Sequence, residues 1–245
     1  MKADFHIVIP ARHASSRLPG KPLRSLAGRP LIEHVYRRAK SAGAQSVSVA
    51  SDDERVCRCV RDFGGTALLT SSGHASGSDR VAEAAGALGL GPRDVVVNLQ
   101  GDAPLIEPVD IRAVAARALG SDLATLASPL PDPAQAADPN VVKVVLSAEG
   151  RALYFSRAAI PARHPLTGVR PVYLRHTGLY ACRFSVLKRL TAEPQCELER
   201  SEGLEQLRAL WLGMEIAVEY ANSPPGPEVD TAEDLLRVER LLLSV

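Results

Sequence analysis

The sequence predicts an α/β fold built around a mostly parallel central sheet. Three observations carry this. Short apolar runs alternate with amphipathic helical stretches through the first half of the chain. The runs at 5–9 and 94–99, the latter containing Val95-Val96-Val97, lack the polar alternation of a half-exposed strand, as expected for strands covered on both faces. The loop after the first run is short, basic and rich in Gly, Pro and Ser, as at the ligand-binding edge of such sheets.

In order, 5–9 reads as the first strand. A helix begins near Pro30, which suits a first helical turn, and carries Leu31, Ile32, Val35 and Ala39 as its stripe before ending at Gly43. Residues 46–50 form a second strand, 53–63 a helix with Val56, Val60 and Phe63 inward, and 66–69 a third strand after Gly64-Gly65. This rhythm predicts right-handed crossovers. Strand 94–99 leads to a helix at 108–119 and a strand at 123–128. The Pro-, Ala- and Asp-rich stretch 129–139 reads as an exposed connection. Strands follow at 140–146 and 173–182, which are expected to share a smaller subdomain. A helix over 201–212 with Leu204, Leu207, Trp211 and Leu212 as its stripe, a strand at 215–220 and a final helix at 235–243 covering the sheet complete the chain.

Composition narrows the function. The chain has 245 residues, enough for one large domain over 1–245 with a small subdomain. With 29 basic and 28 acidic side chains it has no bulk charge for gripping nucleic acid, and 4% aromatics leave little for base stacking. No apolar run approaches the roughly eighteen residues of a membrane span. Asp4 and His6 interrupt any signal-peptide pattern, so a cytoplasmic location is expected. Cys57 and Cys59 lie two apart in a helical pattern and face apart. With Cys182 and Cys196, they read as reduced thiols rather than zinc ligands.

The first loop, 10–21, holds Arg12, Arg17 and Lys21 with the hydroxyls of Ser15 and Ser16. Any one cation would suit a solvated loop, but three together call for an anion, and arginine matches phosphate geometry. The loop is neither a Walker A motif, since Pro22 follows Gly20-Lys21, nor a Gly-x-Gly-x-x-Gly fingerprint. Ser76 and Ser78 are helix-cap candidates. Asp102, just beyond a buried strand, suits either a turn cap or a magnesium ion, which takes one or two carboxylates plus phosphate oxygens. Thr231 with Asp234 resembles a capping box, which leaves Asp230 free.

These motifs carry a resemblance. Arg12 followed by Arg17-Leu18-Pro19-Gly20-Lys21-Pro22 resembles the nucleotide loop of cytidylyltransferases that activate acidic sugars, most closely the 3-deoxy-manno-octulosonate cytidylyltransferase family. Residues 74–80, Gln100-Gly101-Asp102-Ala103-Pro104, the 140–146 run, Tyr154-Phe155-Ser156-Arg157, Ile160-Pro161, Arg175-His176-Thr177-Gly178-Leu179-Tyr180, Leu204 to Gly213 and Val229-Asp230-Thr231 follow in the family's order, from Val8 to Arg237. Two departures stand out: Ala103 where the family has Glu, and a poor match at 162–165.

The resemblance implies a three-layer, Rossmann-like nucleotide-diphospho-sugar transferase fold with an inserted dimerisation subdomain at about 130–200. It implies transfer of CMP from CTP to 3-deoxy-D-manno-octulosonate with release of pyrophosphate, activating the sugar for lipopolysaccharide synthesis. Pro10, Ala11, Arg12, Ser15, Arg17, Lys21, Ser76, Gly77 and Arg80 would bind CTP. Arg12, Arg17, Lys21, Asp102 and Asp230 would be catalytic, with Asp102 and Asp230 holding one or two Mg2+ ions. Gln100, His176, Tyr180, Glu205 and Gln206 would meet the sugar acid, with Arg157 and Arg163 as secondary candidates for its carboxylate. The enzyme would be a homodimer. A related acceptor (an amino-substituted octulosonate or a sialic-type acid), a polyol phosphate acceptor and a non-catalytic nucleotide-binding protein stay open as alternatives.

Overall fold

The computed structural model describes residues 4–14, 17–164, 166 and 168–244. Strand β1 (Phe5–Ala11) is followed by a 3-10 turn (Lys21–Leu23), a two-stranded ribbon of β2 (Ser25–Leu26) and β3 (Arg29–Pro30), and helix α1 (Leu31–Ser41). Then come β4 (Ser46–Ser51), α2 (Glu54–Asp62), β5 (Thr66–Leu69), α3 (Gly77–Ala87), β6 (Val95–Leu99) and α4 (Pro108–Arg117). The second half runs β7 (Leu123–Pro129), β8 (Lys143–Leu146), β9 (Ala152–Ser156), β10 (Leu174–Arg183), α5 (Phe184–Ala192), α6 (Glu197–Glu202), α7 (Gln206–Trp211), β11 (Ile216–Tyr220) and α8 (Ala232–Leu243).

Among the described residues the central sheet has the order β11-β7-β10-β6-β1-β4-β5, with β8 and β9 branching from β10. The pairs β6-β1, β1-β4, β4-β5 and β11-β7 are parallel. Strand β10 lies antiparallel between β6 and β7. It therefore belongs to the main sheet, and only its first residues, Leu174 and Arg175, pair with β8. This corrects the expectation that 173–182 sits in a separate subdomain.

The pleat sorts side chains into two cores, which makes the fold three-layered. Phe5, Ile7, Ile9, Val95 and Val97 face one side and pack with Ile32 and Val35 of α1, Val56 and Val60 of α2, and Ile111 and Val114 of α4. Val8 and Val96 face the other side, against Val81 and Ala84 of α3, Phe184 and Leu187 of α5, and Leu207 of α7. The single helix expected over 201–212 is two helices. Gly203, at φ +61, ends α6 in a left-handed cap, and α7 starts afresh at Gln206. The break turns Trp211 out to 59% exposure, so it is not part of the buried stripe. Helix α8 does not cover the main sheet: Val238 packs with Leu18, Leu26, Leu31 and Val229. Among the described residues no helix is long and apolar enough to cross a membrane.

Candidate active site

Parallel strands β1 and β6 end at the same sheet edge, so the loops that follow them face each other. The first loop is pinned locally. Gly20 takes φ +68, a conformation that favours glycine, and its N–H donates to the His13 carbonyl at 3.1 Å. Leu18 is buried against Leu26, Leu31, Val229 and Val238. The same apolar contact therefore anchors the first loop and the segment before Asp230. The Val229 N–H donates to the Asp102 carbonyl at 2.9 Å. These links bring together residues more than 200 positions apart in the chain, as Lys21 and Asp230 are. Thr231 and Asp234 form the capping box that opens α8, which leaves the Asp230 carboxylate outside the cap.

The result is a cleft of about 360 Å³ lined by Pro10, Ala11, Arg12, Arg17, Lys21, Gly77, Gln100, Asp102 and Asp230, with Ala14, Pro22 and Gly101. The volume falls in the usual range for small-ligand sites. At its floor Lys21 Nζ donates to Asp102 Oδ2 at 2.7 Å and to Asp230 Oδ1 at 3.1 Å. Arg17 pairs with Asp230 Oδ2 at 3.1 Å. Burial opposes the charge on Lys21, but Asp102 and then Asp230 outweigh it and hold the ammonium above its ordinary pKa. Arg12 donates to the Ala75 carbonyl at 3.1 Å, tying the first loop to the start of α3.

Ser76 caps α3, accepting from the Asp79 N–H. Its hydroxyl also donates to Glu205 Oε1 at 2.9 Å. A residue expected at the base and one expected at the sugar thus touch directly. Burial raises the Glu205 carboxyl, and hydrogen bonds from Ser78 and Ser76 oppose that. Tyr180, Glu205 and Gln206 line a small pocket of about 30 Å³ with Ser78 and Asn98, whose other walls are the apolar Val81, Val96, Leu123, Cys182, Leu187 and Leu190. Gln100, in the cleft wall, donates to Asn98 Oδ1 at 3.3 Å.

His176 is buried, 2.9 Å from Thr125 Oγ1, with its ring 4.9 Å from that of Phe155 and 5.4 Å from that of Tyr180. Burial, reinforced by Arg175, lowers its pKa from 6.5 to about 3. The unfolded chain therefore binds a proton that the folded chain refuses between those values, and stability must rise with pH across that window and level off above 6.5. Going from pH 7 to about pH 5 should cost wild type about 2 kcal/mol more than His176→Gln. Urea denaturation of both proteins at the two pH values checks this, and equal losses would contradict it.

Ser76, His176, Tyr180, Glu205 and Gln206 do not line the cleft, and three expected arginines are placed elsewhere too. Arg80 does not reach the cleft. It is fully buried and donates to Thr70 Oγ1, the Ser71 carbonyl and Asp52 Oδ2, so it braces the core beneath α3. Arg157 is spent on backbone carbonyls of Glu202, Pro139 and Gly203 at 2.6, 2.8 and 3.4 Å, where it closes the end of α6 rather than facing a ligand. Arg163 is exposed in the segment after β9. Ser15 and Ser16 lie outside the described residues.

The sequence reading missed Glu228. This half-buried carboxyl is raised to about 7 by burial and by Asp102, with Arg175 opposing, and it also feels Asp230 and Lys21. The available signal was its place two residues before Asp230, since extended chain puts i and i+2 on one side.

Among the described residues no group of three or more His, Cys, Asp or Glu side chains forms a metal cage. Magnesium held by two carboxylates and phosphate oxygens needs no such cage. Asp102 and Asp230 already converge on one cation, the Lys21 ammonium, at an open cleft, so this donor set fits magnesium.

The chain matches the Cytidylyltransferase family over residues 6–216. It is 48% identical over 253 residues to the 3-deoxy-manno-octulosonate cytidylyltransferase of Pseudomonas fluorescens, covering 99% of each chain. It is 50% identical to the enzyme of that name from Acidovorax sp., covering 98% of each. Its fold superimposes with a TM-score of 0.92, at 41% identity, on a CMP:2-keto-3-deoxy-manno-octonic acid synthetase solved in complex with CTP, covering 98% of this chain and 99% of that one. By profile, by full-length relatives and by fold, this chain belongs to the cytidylyltransferase family.

Proposed function

We propose that this protein transfers CMP from CTP to 3-deoxy-D-manno-octulosonate. The observation that carries the reading is the cleft itself, where Arg17 and Lys21 of the first loop meet two carboxylates from distant segments and Arg12 lines the same cleft. Relatives bearing that name over their full lengths support the acceptor.

The anomeric hydroxyl of the sugar attacks the α-phosphorus of CTP. A new phosphorus–oxygen bond forms, the α–β anhydride bond breaks, the hydroxyl proton passes to solvent water and pyrophosphate leaves. The protein's part is placement and charge. Arg12, Arg17 and Lys21 neutralise the triphosphate and then the leaving pyrophosphate. Gly77, at the start of α3 and beside Pro10, lets the nucleotide approach the helix end, and Ser76 and Gly77 meet the cytosine. Gln100, His176, Tyr180, Glu205 and Gln206 receive the sugar. The neutral His176 and the Tyr180 hydroxyl, whose pKa burial raises well above its ordinary value, offer hydrogen bonds rather than charge. Asp102 and Asp230 would hold Mg2+, which would polarise the phosphate and lower the pKa of the attacking hydroxyl.

The reading extends to a cytoplasmic homodimer formed through 130–200. Leu153, Leu166, Val169 and Val172 are exposed in that stretch, which supports an apolar contact. Sedimentation should give twice the 26.1 kDa chain mass, and Leu153→Asp should shift it towards the monomer. An unchanged mass in the variant would count against this surface.

The acceptor is tested by incubating enzyme, Mg2+ and CTP with 3-deoxy-manno-octulosonate, with an amino-substituted octulosonate and with a sialic-type acid, and identifying the CMP-sugar by mass. Product only from the first is expected. Product only from another acid would keep the chemistry and change the substrate, and Ala103 is the first position to examine in that case. CTP binding with no product from any acceptor would point to the non-catalytic alternative.

A further inference from the structure

Lys21 sits between two carboxylates from distant segments. Its Nζ lies 2.7 Å from Asp102 and 3.1 Å from Asp230, and its side chain is only 16% exposed. Arg17 supplements the charge on the outer oxygen of Asp230. The ammonium that should serve the phosphates is therefore committed to the carboxylates that should serve magnesium. A divalent ion needs those oxygens at about 2.0–2.1 Å. An ammonium between the two carboxylates opposes its entry, because the two cations repel. Lysine is suited to vacate such a place. It carries its charge as a point on a flexible four-carbon stem and needs no fixed fork of contacts. The other walls of the cleft, with Arg12 and Gly77, give its ammonium a direction to move in once anionic oxygens are present.

The geometry points to Lys21 as an internal placeholder cation, which holds Asp102 and Asp230 together in the metal-free enzyme and releases them when the triphosphate draws its ammonium away. Nucleotide and metal binding are then coupled, and the enzyme alone resists loading with divalent ions. This inference rests on the reading of Asp102 and Asp230 as the metal carboxylates.

The test is Mn2+ binding without nucleotide, followed by the electron paramagnetic resonance signal of free Mn2+. Wild type should bind weakly. Lys21→Met and Lys21→Gln, which remove the charge and keep most of the length, should bind Mn2+ roughly tenfold more tightly or better. Lys21→Arg, which keeps a cation, should stay near wild type. Adding Asp102→Asn to Lys21→Met should abolish the gain. Circular dichroism confirms that each variant is folded, and two neutral variants guard against one that is not.

Neutral variants that bind Mn2+ no better than wild type would overturn the placeholder role. The metal reading would then still be decided separately, by Mg2+-dependent turnover of wild type against Asp102→Ala. A gain that survives Asp102→Asn would also overturn it, since the metal would then be bound elsewhere.

Discussion

Asp102→Ala should lower turnover by roughly a thousandfold or more while the protein remains folded. The carboxylate leaves the cleft floor, and with it one of two anionic groups that converge on the cation position. The next residue in the chain, Ala103, offers no carboxylate in its place. Stability should change little. The Asp102–Lys21 pair is partly open to solvent, at 23% and 16% exposure, and such pairs contribute about 1 kcal/mol or less. The backbone link from Val229 N–H to the Asp102 carbonyl survives the substitution. Activity and a urea midpoint measured on one preparation check both halves. Near-normal turnover would remove Asp102 from the metal assignment.

The second large effect concerns stability. Arg208 and Glu199 form a bidentate pair at 2.6 and 2.7 Å, with both side chains 5% exposed. The same guanidinium donates to the carbonyls of Leu190 and Glu193, so one side chain joins α5, α6 and α7. Arg208→Ala leaves the Glu199 carboxylate buried without its partner, which should cost about 3–5 kcal/mol. That is a large share of the roughly 5–15 kcal/mol available to a domain. The double variant Arg208→Met/Glu199→Met should be less destabilised than the single one, because no orphan charge remains. Chemical denaturation of the three proteins gives the comparison. A single-variant loss below about 1 kcal/mol would show that the pair is solvated in solution. Helix α7 carries Gln206 and follows Glu205, so Arg208→Ala should also weaken acceptor binding more than CTP binding.

The parts of the molecule legible in the sequence are those whose causes are local. Strand β1 reads as buried because it is almost wholly apolar, and the first loop stands out because three cations share it with Gly20. Asp53 and Thr231 cap helices where the pattern placed the helix starts. Asp102 and Asp230 were both named, yet nothing local says that they meet. Their meeting depends on Leu18 packing against Val229 and on a backbone bond across more than 120 residues.

The misreadings share a cause. Period alone carried a helix straight through Gly203, where backbone conformation ends it. Apolar runs do not say which strands pair, so β10 was placed outside the sheet whose middle it occupies. An arginine in a motif looks the same whether it reaches for a ligand or, like Arg157, for the last carbonyls of a helix. Arg80 likewise turns inward to Asp52, a partner 28 residues earlier. Glu228 escaped notice in a proline-rich stretch that reads as a loop, although tertiary contact sets it among Asp102, Asp230 and Lys21.

The most direct test of the account is pyrophosphate release by the wild-type protein with Mg2+, CTP and 3-deoxy-manno-octulosonate, and with each left out in turn. Release is expected only when all three are present. Undiminished release without the sugar would make this a CTP hydrolase, and undiminished release without Mg2+ would remove the metal from the cleft. No release with all three, despite CTP binding, would contradict the central claim that this cleft carries out cytidylyl transfer.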